Sequence, residues 1–317
     1  MLIRRSLEKD GNLAPRVWNA LEALPPDCLH HLAHGKRHPK SVYWTSLTAI
    51  VDQWLKVMDR LERVIHEHNW EGKETSYGEL LSEYRTLLYH LNEHFDACYS
   101  ALRSVCAPLE GKPPLFDEAF LDKANPPGWR AFRDGIRGYK RDHIGALVNA
   151  MKHRQGELCT VFFYSSMEFR PGYYLRDVLP TGALGPSPAL HNGGETAFSF
   201  ARDLMLHLWW LYKSGDLLAT ALDTILRVVH KEQVQERAAA FDHANLGLLL
   251  KRCAGVRPEF FPDETSKPYP RIVCRPDLTA LSLEFPTTAR GHRVKEMRIS
   301  TVLGVAVASY KASPPIQ

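Results

Sequence analysis

Apolar residues recur along this chain at spacings of three and four over long stretches, a period that predicts helices. Leu47, Ile50, Val51, Trp54, Val57, Met58, Leu61, Val64 and Ile65 trace one face of a first helix. A second opens on the capping box Ser76-x-x-Glu79 and runs through Leu80, Tyr84, Leu87, Leu88, Leu91, Phe95, Cys98, Leu102 and Val105. The short break between them predicts an antiparallel hairpin. Five prolines make 107–127 a loop, with Asn125 as N-cap and Pro126 as first residue of a third helix reaching about Gln155. A fourth helix is expected over Thr196–Lys213. A fifth starts at Asp216, with Leu218, Leu222, Ile225 and Val229 on one face, and a weaker helical stretch ends near Arg252.

Elsewhere the period falls to two. Leu158–Tyr164 and Tyr173–Leu179 read as strands joined through Arg170-Pro171-Gly172, a hairpin inserted at about 157–180. Pro180–Gly194 is a Gly/Pro-rich loop. After Pro258 the texture changes again: Tyr269–Cys274, Leu278–Phe285 and Arg290–Ile299 are expected strands. The pattern therefore predicts a mainly α fold: an irregular segment 1–40, a helical bundle over 41–253 with the small β insertion, and a short β-containing C-terminal module over 254–317.

Composition narrows the class. At 317 residues and 44% hydrophobic content the chain has material for a sizeable core, which excludes global disorder. Its densest apolar stretches, Leu204–Tyr212 and Val302–Tyr310, are about half of what a bilayer crossing needs, so no membrane span is expected. The charged start Met1–Asn12 has no apolar signal region. Cysteines 28, 98, 106, 159, 253 and 274 contain no C-x-x-C pair and read as reduced thiols of a cytoplasmic protein. The net charge of +4 is uneven: residues 1–40 carry +3 and 226–317 carry +5, leaving −4 between. Basic ends permit an anionic partner without demanding one.

No G-x-G-x-x-G follows a strand, and no P-loop or G-x-S-x-G elbow occurs, which argues against dinucleotide, nucleotide-motor and α/β-hydrolase chemistry. Two polar patterns interrupt the helices. On the third, Asp142, Gly145, Ala146, Asn149 and His153 form one stripe with Lys152 beside it. Its small residues would admit a neighbouring helix, placing Asn149 and His153 in a partly dry seam. On the fourth, Arg202-Asp203-x-x-x-His207 joins a guanidinium fork suited to phosphate with an imidazole able to move a proton near neutrality. Structural alternatives stand beside both: a hydrogen-bonded helix contact for the first, a satisfied core histidine for the second. His90-x-x-Glu93-His94 matches the inverted zinc-protease signature, with two histidines one turn apart. His30, His31, His34 and His38 lie close in sequence, either a metal-binding cluster or a solvated loop. Arg290, His292, Arg293, Lys295 and Arg298 form either a nucleic-acid surface or a charged edge strand.

The segment Arg202-Asp203…His207, and Val148–Leu158 with its Asn149-x-x-Lys152-His153 phrase, resemble helical domains of the HEPN type. The family's motif is an Arg, four to six residues, then His, often with a polar residue after the Arg. Val148 stands where the second segment would need that Arg. The resemblance covers about 41–225. It implies an RNA-directed protein, including a metal-independent ribonuclease of bacterial defence or toxin type, acting as a homodimer without cofactor and open to a regulatory protein partner. It would assign catalysis to Arg202, His207, Asp203, Asn149 and His153, and RNA contacts to Arg141, Lys152, Arg154, Arg293 and Lys295. A non-catalytic helical module that binds a ligand or partner is the alternative; a zinc hydrolase through the His90–His94 segment is a third.

Overall fold

The computed structural model describes residues 1–68, 77–165, 168–191, 196–233, 238–258, 260–264, 267–285, 296–302 and 305–311; at 164, 165, 168, 262, 296–302 and 305–311 it describes the backbone. The chain starts with strand β1 (Leu2–Ser6) and the short helices α1 (Leu7–Asp10) and α2 (Val17–Glu22), so 1–40 is not irregular. Its apolar positions are too few per element to show a period. Instead Arg5 reaches Asp10 and Asn12, and Asn12 reaches Asn19 and the Ala239 carbonyl, so buried polar bonds hold this segment.

Helices α3 (Pro39–His66) and α4 (Tyr77–Arg103) bury the residues the period marked, apart from half-buried Ile65 and from Val105, which is buried just past the end of α4. Gln53 meets Glu83 while Ser46 meets His94, so the pair runs antiparallel as expected. Ser76 lies outside the described residues. The expected loop 107–127 contains helix α5 (Asp117–Ala124), and Asn125 ends it in a left-handed conformation instead of capping the next. Gly128 then precedes α6 (Trp129–Tyr139). The third expected helix is two helices in line, because a π turn at Lys140–Ile144 separates α6 from α7 (Gly145–His153).

Strands β2 (Glu157–Ser165) and β3 (Glu168–Val178) form the inserted hairpin. Arg170-Pro171-Gly172 lies inside β3 and not at its turn. Strand β5 (Phe198–Ser199) begins to pair at Gly172, so Pro171, which has no N–H, falls outside that ladder. Short β4 (Leu184–Pro186) pairs with the end of β3.

The expected fourth and fifth helices are one, α8 (Phe200–Ile225), extended by a second π turn at Leu226–His230. Ser214-Gly215 does not break it. A Cβ on Gly215 would lie 2.6 Å from Pro15, so the glycine admits the N-terminal segment against α8. Helix α9 (Ala244–Gly255) follows. Strands β6 (Arg271–Cys274) and β7 (Ala280–Glu284) alternate as predicted, with Leu281 and Leu283 buried. They complete a sheet of order β1-β7-β6. The last strands, β8 (Glu296–Val302) and β9 (Val305–Lys311), instead join the inserted hairpin, giving the order β4-β3-β2-β9-β8. The strands after 254 are thus divided between two sheets. The fold is mainly α, with small sheets at its margin and α8 through its core.

Candidate functional site

The buried side of α8 is largely apolar, and on it Asp203 and His207, one turn apart, share a face. That face points into the bundle. Ser199 caps the helix, its hydroxyl accepting from the Arg202 backbone N–H. The opposing side chains come from four other elements: Tyr84 from α4, Tyr139 from the end of α6, His143 from the π turn, and Tyr173 from β3. The π turn depends on Gly145, whose hypothetical Cβ would lie 2.4 Å from the Lys140 carbonyl oxygen. The glycine therefore closes this turn and does not serve the approach of a neighbouring helix. Such single π turns often mark functional positions.

Asp203 is the hub. His143 Nε2 lies 2.8 Å from Oδ1, the Tyr84 hydroxyl donates to Oδ2 at 2.5 Å, and the Tyr173 hydroxyl donates to the same oxygen. His207 Nε2 is 3.4 Å from Oδ2 and 2.9 Å from the Tyr84 hydroxyl, and His207 Nδ1 is 2.7 Å from the Tyr139 hydroxyl. The His207 and Asp203 side chains are 0% and 2% exposed; His143, at 19%, is the member nearest solvent. Burial alone would raise the Asp203 carboxyl, but His207 and His143, by charge and by hydrogen bond, hold it well below the usual carboxylate range. Burial first, and the Asp203 charge second, push the three tyrosine hydroxyls well above their ordinary value, so all three are neutral.

Arg202 does not join this group. Its guanidinium donates to the Pro268 carbonyl at 2.9 Å and stands 4.0 Å from Glu264. Glu264 is buried, bonds to Ser199 and the Phe261 N–H, and is pushed up to about 7, by burial above all. Two adjacent residues of α8 thus face different surroundings, as the 100° step per helical residue requires.

The α7 stripe is not a dry seam. Helix α7 packs on α4, and Leu147, Val148 and Ala150 are its buried side chains. Asn149, Lys152, His153 and Arg154 are exposed, as are Arg141 and Asp142 in the π turn. Lys152 lies 5.0 Å over the Tyr89 ring, and Arg154 is 3.4 Å from Asp177. Arg293 and Lys295, with Arg290 and His292, lie outside the described residues.

The other histidine groups come apart. His90 faces solvent against Glu93, whereas His94 is buried with Nδ1 on Ser46, so the two do not form a zinc clamp. His31 stacks edge-on against His38, His34 bonds to the Cys106 carbonyl, and His30 faces His230. Sequence reasoning singled out Asp203 and His207 but missed Tyr84, Tyr139, His143 and Tyr173 as their partners. A tyrosine in an apolar helical stripe reads as core, and each lies 30 residues or more from Asp203. The readable signal was the pair of polar residues one turn apart, at the start of and within the apolar run Leu204–Trp209.

No protein-family model, curated protein or solved structure matches the chain.

Proposed function

We propose that the chain is an RNA-directed binding protein with a HEPN-like helical body, which holds RNA on the exposed side of α7 and the adjoining π turn and does not cut it with Arg202 and His207. The observation that carries this reading is the contrast between two neighbouring surfaces. Arg141, Asn149, Lys152, His153 and Arg154 stand in water within one segment, while both nitrogens of His207 are engaged by tyrosine hydroxyls inside the core. A general base must reach the proton it takes, and a sealed imidazole meets no 2′-hydroxyl. Exposed cations suit phosphate, Asn149 and His153 offer hydrogen bonds to base edges, and Tyr89 beside Lys152 offers a stacking face.

Fluorescence anisotropy with labelled single-stranded RNA at several salt concentrations tests this. Wild type is expected to bind with a clear salt dependence. Arg141→Ala, Lys152→Ala and Arg154→Ala together are expected to weaken binding and lower the log–log salt slope by about 0.7 for each phosphate left without its cation. Binding unchanged in the triple variant would remove α7 as the RNA face. The reading includes a homodimer, which light scattering on the eluted protein checks.

A further inference from the structure

We infer that His143, Asp203 and His207 form a binding site for a divalent transition-metal ion of the zinc class, buried where α4, α8, the π turn and β3 meet. This inference is independent of RNA binding and departs from the expectation of a protein without metal.

The donor set is two imidazoles and one carboxylate, whose ligand atoms all lie within 4.8 Å of one another. That is the nitrogen and oxygen chemistry that zinc and its first-row neighbours take. Among the described residues no other group of histidine, cysteine, aspartate or glutamate side chains meets that spacing. Three details point to an ion and not merely to a polar core. Both imidazoles turn Nε2 toward the same carboxylate, His143 onto Oδ1 and His207 toward Oδ2, so the ion takes the place of these contacts and of the one between His207 Nε2 and the Tyr84 hydroxyl. The remaining nitrogen of His207 is held by the Tyr139 hydroxyl, the outer contact that fixes a ligating imidazole in orientation. The Asp203 carboxylate is buried beneath the Tyr84 and Tyr173 rings, where a charge needs a strong counter-charge.

The surroundings set the role. The Tyr84 and Tyr173 hydroxyls close the carboxylate side, and only the His143 side chain approaches solvent. Three protein donors leave a fourth position, and the tyrosine hydroxyls around it keep bulk solvent away. Ligating imidazole and carboxylate groups must be deprotonated, so affinity falls as the solution becomes more acidic. The ion ties the π turn after α6 to α8.

The test uses full-length protein incubated with zinc, dialysed against a weak chelator and assayed by elemental analysis, together with visible absorption after cobalt(II) substitution. Wild type is expected to retain one zinc per chain and to give a cobalt ligand-field spectrum without a thiolate charge-transfer band. His143→Gln can still donate a hydrogen bond to Asp203, so it keeps the polar network while removing a ligand; Asp203→Asn removes the hub. Both are expected to lose zinc affinity by more than the 10- to 100-fold typical of changes to residues that merely orient a ligand. Zinc should also raise the unfolding midpoint of wild type but not of His143→Gln. Less than stoichiometric metal in wild type, or equal retention in wild type and His143→Gln, would overturn the assignment and leave a proton-filled core network.

Discussion

His207 spends both ring nitrogens on tyrosine hydroxyls, and that fixes what its loss does. His207→Ala takes a hydrogen-bond partner from the buried Tyr84 and Tyr139 hydroxyls, and it opens a void beside Trp54. The expected cost is about 3 kcal/mol of folding free energy in urea unfolding. A histidine kept for catalysis would instead leave stability almost unchanged when removed. Legibility at this scale divides along the same line. That Asp203 and His207 share a face follows from their spacing. That Arg202 turns away to the Pro268 carbonyl does not, because its partners arrive from a segment more than 60 residues later.

Among the elements, the π turn between α6 and α7 carries the strongest consequences. It accommodates one residue more than an α turn, which rotates everything after it by about 100°. Gly145→Ala drives a methyl group onto the Lys140 carbonyl and is expected to cost about 1–3 kcal/mol and to displace His143 from Asp203. Gly138→Ala, at a nearby α6 position with open space around it, is expected to stabilise by about 0.5–1 kcal/mol. Thermal unfolding of the two variants side by side distinguishes a required glycine from a merely tolerated one. Long helices were the most legible elements: α3 and α4 follow directly from their apolar period. Short ones were not. Helix α5 hides among prolines, and Ser214-Gly215 reads as a break until Pro15, from the far end of the sequence, is seen to need the space.

At the scale of the whole molecule, buried titratable groups set opposite pH trends. Burial brings His94 down to about 4; burial, with His143 and Lys267 nearby, does the same for His191. Both stay neutral in the folded chain while the unfolded chain protonates near 6.5, so each makes stability rise with pH between about 4 and 6.5. Glu264, pushed up to about 7, keeps its proton in the folded chain after the unfolded chain has lost it, so it makes stability fall between about 4.5 and 7. Two histidines outweigh one glutamate. The expected net gain from pH 4 to 6.5 is about 3 kcal/mol, and Glu264→Gln is expected to steepen the rise. Urea midpoints across that range check it.

The sheets show why the overall plan was only partly readable. Alternation placed β6 and β7, but β1 pairs with β7 and β9 pairs with β2 across long stretches of the sequence, and such pairings leave no local pattern. No helix among the described residues is long and apolar enough to cross a membrane, in line with the hydropathy of the chain. The six cysteines are all free thiols.

The central claim is that RNA is held on α7 and not cut at α8. The most direct measurement incubates labelled total RNA with the purified protein in EDTA, beside Arg202→Ala and His207→Gln, and reads retained RNA and fragment length from the same samples. The account predicts RNA retained and intact with wild type, and retention undiminished in Arg202→Ala. Cleavage by wild type that disappears in both variants would contradict it, and would place a metal-independent ribonuclease at Arg202 and His207.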